Sequence, residues 1–198
     1  MEVSASLVKE LREKTGLGLM DCKKALVESE GNVEKAVEYL RKKGALKAAK
    51  REGRATSEGR IGSYIHMNGK IGVLLEVNCE SDFVAKTEQF AELVHDICMH
   101  IAASSPRWIS SENVPEDVLA KEKEIYMTQA KEAGKPEKML EKIAEGKLKK
   151  FFSEVCLLEQ RFVKDPDRTV GDLIKDKIAQ LGENMTIGRF VRFQLGQD

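Results

Sequence analysis

The sequence predicts an α+β protein: an N-terminal bundle of three helices, a linker, and a small antiparallel three-stranded sheet covered by helices. Three observations predict it. Residues 1–53 carry three short apolar stripes at helical spacing, residues 60–78 alternate apolar and polar side chains around Asn68-Gly69, and the remaining chain returns mostly to helical periodicity. The boundaries read as a helical segment over 1–53, a linker over 54–59 and an α+β body over 60–198.

In the N-terminal segment, Leu7, Val8 and Leu11 follow Ser6, and Thr15-Gly16 is a stop signal. Leu19, Cys22 and Leu26 form a second stripe closed by Gly31. Asn32 is placed to cap a third helix bearing Val33, Val37 and Leu40, with Gly44 near its end. None of these helices is long enough to stand alone, so the three bury their stripes against one another. The link Thr15-Gly16-Leu17-Gly18-Leu19-Met20 is unusually apolar for a turn. It is similar to the docking loop of a ubiquitin-associated-like three-helix module. Met20 is the candidate for exposure, Leu19 reads equally well as core, and Lys23 one turn on supplies a polar rim.

In the body, Ile61, Ser63, Ile65 and Met67 share one strand face, Asn68-Gly69 makes the hairpin turn, and Ile71, Val73, Leu75 and Val77 share a face of the return strand. Ile187 to Leu195 reads as the third strand. Phe90, Leu93, Val94, Ile97, Cys98 and Ile101 mark a helix that ends before Pro106. Pro115 and Pro136 open two helices of roughly 15 residues. Thr169 with Asp172 is a capping-box start for a helix ended by Gly182.

Composition narrows function. Thirty-three basic and thirty-three acidic residues cancel, so no global charge favours nucleic acid or an acidic membrane. Residues 41–60 are the local exception, with 8 basic and 2 acidic side chains. They read as a solvated helix end running into linker, or as a weak contact for RNA or an acidic protein. No apolar run reaches the roughly 18 residues of a membrane span, and the N-terminus has no leader pattern. Cys22, Cys79, Cys98 and Cys156 lack metal-site or redox spacing and read as small buried hydrophobes in a reducing compartment. A cytoplasmic protein without metal or cofactor is expected, and no catalytic constellation or phosphate-binding loop is present.

The stretch Cys79-Glu80-Ser81-Asp82-Phe83-Val84-Ala85-Lys86 falls between the end of strand propensity and the start of helical periodicity. Two readings of its aromatic stand. Phe83 either projects from a strand-anchored turn as an anchor for a partner's pocket, or folds into the body's own core with Ser81 or Asp82 as helix cap.

At these residues the chain resembles a known family. Leu11-Arg12-Glu13-Lys14-Thr15-Gly16 with Leu19-Met20-Asp21-Cys22-Lys23-Lys24-Ala25-Leu26, and Glu76-Val77-Asn78-Cys79-Glu80-Ser81-Asp82-Phe83-Val84-Ala85-Lys86, resemble the two signatures of bacterial elongation factor Ts. The likeness continues through Met99-His100-Ile101-Ala102-Ala103-Ser104 and Phe162-Val163-Lys164-Asp165-Pro166, and the length resembles the short form. Ser81 stands where the family commonly has threonine, and Arg161 where a proline is expected.

The resemblance implies a translation factor that binds the GTPase elongation factor Tu and promotes GDP release without covalent chemistry. It implies that the N-terminal helices dock through Arg12, Leu19, Met20 and Lys23. Ser81, Asp82, Phe83 and Val84 then form a wedge that dislodges the partner's Mg²⁺. Ile71, Gly72 and His100 match weaker contact positions, although His100 reads equally well as packed in the body. Short members are expected to pair as homodimers through the body; direct nucleic-acid or membrane contact is not expected. The rival reading is a non-exchanging adaptor that uses the three-helix module alone.

Overall fold

A computed structural model describes residues 3–197; the outermost ends of the two predicted segments, residues 1–2 and 198, lie outside it. The order of elements is α1 (Ala5–Thr15), α2 (Leu19–Glu28), α3 (Val33–Ala49), β1 (Glu58–Ile65), β2 (Ile71–Cys79), α4 (Asp82–Ala85) and α5 (Glu88–Ser104). There follow α6 (Glu116–Glu132), α7 (Glu137–Val155), β3 (Arg161–Phe162), β4 (Asp165–Thr169), α8 (Val170–Leu181) and β5 (Met185–Gln194). The architecture is α+β, with an antiparallel sheet in the order β1-β2-β5 and a separate two-stranded β3-β4 sheet.

Two compact units make up the chain. One comprises Met1–Gly62, Glu76–Val94 and Leu173–Gly188; the other comprises Ser63–Leu75, His95–Asp172 and Arg189–Asp198.

In the first unit the N-terminal helices form because side chains cap α1 and α3 and each of the three buries one stripe. Ser4 accepts from the Leu7 amide at 3.4 Å and Asn32 from the Lys35 amide at 2.9 Å, satisfying donors that the first helical turn leaves unpaired. Gly16 adopts φ 66°, the left-handed conformation that ends α1, and its amide donates to Arg12 O. Val8, Leu11, Cys22, Ala25, Leu26, Ala36 and Leu40 make the core, with Leu7, Leu17, Val33 and Val37 packed on it. Leu19 departs from the predicted stripe: it is 52% exposed, and Leu17 packs on the core instead. The third helix also runs past Gly44 to Ala49. Gly44 permits that course, because a Cβ there would sit 3.2 Å from the Ala179 Cβ of α8. The basic stretch from residue 41 is therefore helical over its first half.

In the second unit the hairpin loop closes with Gly69 at φ 68°, as Asn68-Gly69 predicts, and His66 N–H donates to Ile71 O at 2.9 Å. Pro115 and Pro136 cap α6 and α7, which run 17 and 19 residues. Trp108, Phe151, Phe152, Val114 and Cys156 pack at the base of that helical hairpin. The β3-β4 hairpin has no counterpart in the sequence reading; Pro166 and a two-residue strand leave it no alternation to detect.

Candidate partner-binding site

Strand β2 buries Val73, Leu75, Val77 and Cys79 on one face, as the alternation predicts. This anchors the chain just before the Ser81–Val84 turn, and four local bonds then shape the turn. The Cys79 thiol donates to Ser81 O at 3.2 Å. Ser81, extended at φ −132° and ψ 155°, caps the four-residue helix α4 by accepting weakly from the Val84 amide at 3.5 Å. Thr87 donates to Val84 O at 2.8 Å and accepts from the Phe90 amide at 3.2 Å, which ends α4 and starts α5.

This geometry excludes the core placement of Phe83, although Ser81 is the helix cap that went with that reading. Ala85 turns inward and is buried, whereas Phe83 is 81% exposed. The ring contributes nothing to this protein's own core. Beside it Asp82 is also outside, and its carboxylate accepts from the Lys86 ammonium at 2.6 Å. That hydrogen bond holds the Asp82 pKa below the usual carboxylate range, so the group stays ionised at neutral pH. Val84 is half-buried. The turn thus presents an aromatic ring next to an ion-paired carboxylate.

Two further pairs tie this turn to the connection after α8 in the same unit. Glu183 accepts from the Ser81 amide at 3.0 Å and from the Ser81 hydroxyl at 2.6 Å. In the opposite sense, Glu80 accepts from the Asn184 amide at 2.6 Å, and Asn184 Nδ2 donates to Arg54 O at 3.0 Å. Arg54 reaches back to Glu80 at 3.4 Å. The Asn184 hydrogen bond, with Arg54 adding to it, holds the Glu80 carboxyl below its ordinary range. Glu183 and Asn184 are absent from the sequence reading. Nothing local marks them, since their partners lie 102 and 104 positions away.

The other residues expected at a partner surface divide. Arg12, Leu19, Met20 and Lys23 are all exposed, with Leu19 at 52% and Met20 at 62%. Behind them Asp21 is held by Lys43 and Lys47, each at 3.2 Å. The Lys47 hydrogen bond lowers the Asp21 pKa against its partial burial, and this ties α2 to α3 below the apolar pair. Ile71 and Gly72 are half-buried in β2.

His100 is a correction. It is fully buried, so its imidazole offers no contact surface. Val163 N–H donates to Nδ1 at 3.2 Å, which assigns the proton to Nε2, and Nε2–H donates to Gln160 Oε1 at 2.9 Å. Gln160 Nε2 in turn donates to the carbonyls of Glu154 and Ser104. Burial pushes the His100 pKa down, with the Gln160 bond opposing. The residue is a neutral fastener within the second unit.

All four cysteines are buried and unbridged. Among the described residues no group of three or more His, Cys, Asp or Glu side chains is placed to hold a metal ion. Among them also, no helix is long and apolar enough to cross a membrane.

The family model described as Elongation factor TS matches residues 3–197. The chain belongs to the elongation factor Ts family. Its similarity to individual members runs the full length. It is 60% identical over 197 residues to Elongation factor Ts of Fervidobacterium nodosum, covering 100% of both chains. It is 60% identical over 195 residues to that of Moorella thermoacetica, covering 98% of this chain and 96% of the relative. With Geobacter sulfurreducens Elongation factor Ts it shares 57% over 197 residues, 100% of this chain and 91% of the relative. The protein is thus a member of a family of translation elongation factors.

Proposed function

We propose that this chain is the guanine-nucleotide exchange factor of elongation factor Tu, and that Phe83 is its working wedge. The observation that carries the reading is the 81% exposure of an aromatic ring on a turn held by bonds at both ends. A ring with no packing role at home gains its burial energy only against something else.

Mg²⁺ bound to a nucleoside diphosphate is held by one or two protein groups and several waters. A ring driven between neighbouring helices of the GTPase shifts those few groups and releases the ion. Backbone amides cradling the phosphates then lose both their aim and the charge that shielded the diphosphate. Asp82, ion-paired to Lys86, lies beside the ring, while Ser81 and Val84 shape the turn. Binding is reciprocal: a factor that prefers the nucleotide-free form weakens nucleotide by the same ratio. A thousandfold weakening needs about 4 kcal/mol of differential contact, within reach of a few hot-spot side chains. No bond is made or broken, so no acid, base or nucleophile is called for and the protein acts as a binding factor rather than an enzyme.

In this reading Arg12, Leu19, Met20 and Lys23 dock the N-terminal helices (residues 1–53) on the GTPase. Ile71 and Gly72 are minor contacts of the body. The reading puts the protein in the cytoplasm, where aminoacyl-tRNA is delivered. Pairing of two copies through the body is supported by exposed Ile65, Met67, Leu74, Phe193 and Leu195. A Phe193→Arg variant that stays a dimer in sedimentation would remove that part of the reading.

The test is stopped-flow release of a fluorescent GDP from purified elongation factor Tu. Catalytic amounts of this protein should accelerate release strongly, and less so as Mg²⁺ is raised. Tight binding with no acceleration would leave the adaptor reading instead.

A further inference from the structure

We infer that Glu183 is a positioning residue for the wedge: its carboxylate, reaching over from the α8–β5 connection, fixes the direction in which Phe83 points. The inference rests on Phe83 acting as the wedge, and it goes beyond that by naming what aims the ring.

Exposure creates a mechanical problem. A ring that is 81% exposed is not held by its own contacts, so its direction comes entirely from the backbone that carries it. That backbone is a single helical turn of four residues, Asp82–Ala85, and one turn of helix is unstable by itself. Its N-terminal cap is also poor, because the Ser81 hydroxyl lies 3.5 Å from the Val84 amide, the limit of a useful hydrogen bond.

Glu183 supplies what the local sequence lacks. One oxygen accepts from the Ser81 amide at 3.0 Å, and the other accepts from the Ser81 hydroxyl at 2.6 Å. Both bonds are charge-assisted, and together they fix the residue at two points. The hydroxyl proton is committed to Glu183, so the oxygen's lone pairs face the amides of α4, as a cap requires. Glu80 and Asn184 repeat the tie one residue earlier in reverse, with the Asn184 amide donating to Glu80 at 2.6 Å. Two consecutive residues of the turn are thus clamped to two consecutive residues of another connection in the same unit. Only one of those four residues, Glu183, grips the cap of the turn itself. Its carboxylate bonds to Ser81, so it acts on the ring through Ser81.

The test compares Glu183→Gln, Glu183→Ala, Phe83→Ala and the double variant Phe83→Ala/Glu183→Ala in the full chain. Glu183→Gln is the conservative member: it keeps the shape and an acceptor for the Ser81 amide, but loses the charge and puts an N–H₂ donor where the Ser81 hydroxyl had an acceptor. Two readouts are taken. The first is amide hydrogen exchange of residues 82–87 in the free protein; the second is fluorescent-GDP release from elongation factor Tu across factor concentration.

The expected result is exchange of these amides at least tenfold faster in Glu183→Ala and less so in Glu183→Gln, with the protection of α5 and α8 unchanged. The maximal rate of GDP release should fall at least tenfold in Glu183→Ala and less in Glu183→Gln, with half-saturation changing less than the maximum. In the Phe83→Ala background, removing Glu183 should cost under threefold, because there is no longer a ring to aim. Unchanged amide protection in Glu183→Ala overturns the inference, whatever GDP release does. So do additive losses in the double variant, which would give Glu183 a role independent of the ring. Phe83→Ala that releases GDP normally removes the wedge itself. Phe83→Ala that is slow, beside Glu183 variants that are normal, removes only the positioning role.

Discussion

Replacing Phe83 with alanine separates folding from exchange more cleanly than any other change. The ring is 81% exposed in the free protein, so truncation leaves no cavity and deletes almost no packing. Stability should stay within about 0.5 kcal/mol of the parent, the usual range for a surface substitution. Against the partner the arithmetic differs. A phenylalanine buries roughly 200 Å². With four-fifths of that available, about 25 cal/mol per Å² gives a ceiling near 4 kcal/mol. Alanine keeps its Cβ contacts, and the GTPase relaxes partly around the missing ring, so about 2–3 kcal/mol should be lost. At 1.36 kcal/mol per factor of ten, GDP release should slow by roughly 30- to 150-fold. Stopped-flow release of labelled GDP gives the rate, and thermal unfolding of the same preparation gives the stability. A variant that unfolds several degrees lower while exchanging normally would refute the reasoning on both counts.

Further outcomes follow from other parts of the fold. Met20→Ala, at a side chain 62% exposed, should weaken association with elongation factor Tu by about 1–2 kcal/mol in titration calorimetry, with unfolding unchanged. Leu26→Ala should act in the opposite way: its side chain is fully buried among the N-terminal helices, and the cavity should cost about 2–5 kcal/mol in urea unfolding. His100 should make stability depend on pH. Its pKa is lowered in the folded state, so the unfolded chain binds the extra proton. The contribution is complete above the ordinary histidine value of about 6.5 and is lost as pH falls from there through the lower folded value. Melting temperature should drop across that window, and His100→Asn, less stable at neutral pH, should flatten the drop.

Much of the fold was legible where a pattern repeats along the chain. The α5 stripe from Phe90 to Ile101, the prolines before α6 and α7, and the Asn68-Gly69 turn each state their structure within a dozen residues. The capping box before α8 does so too, and its bonds are present: Asp172 N–H donates to Thr169 at 3.0 Å, and Thr169 N–H donates to Asp172 at 3.1 Å. The direction of Phe83 was not legible. Ser81 can cap a turn whose third residue points in or out, and only the inward course of Ala85 settles which. Leu19 stays open between core and surface in the sequence because a stripe of three cannot show which member sits at its edge; the fold leaves it 52% exposed. Glu183 was invisible because a lone carboxylate after Gly182 has no local pattern, and its partner enters only when the chain folds back. Long-range polar ties are set by tertiary proximity, which periodicity does not encode.

The central claim is that the Phe83 ring spends its exposed surface inside the GTPase. A crystal structure of this protein with nucleotide-free elongation factor Tu measures that directly. The account predicts that the ring, 81% exposed when free, is buried between helices of the GTPase beside an emptied Mg²⁺ position, with Ser81 still held by Glu183. A complex in which Phe83 faces solvent while the Mg²⁺ ligands of the GTPase keep their places would contradict it.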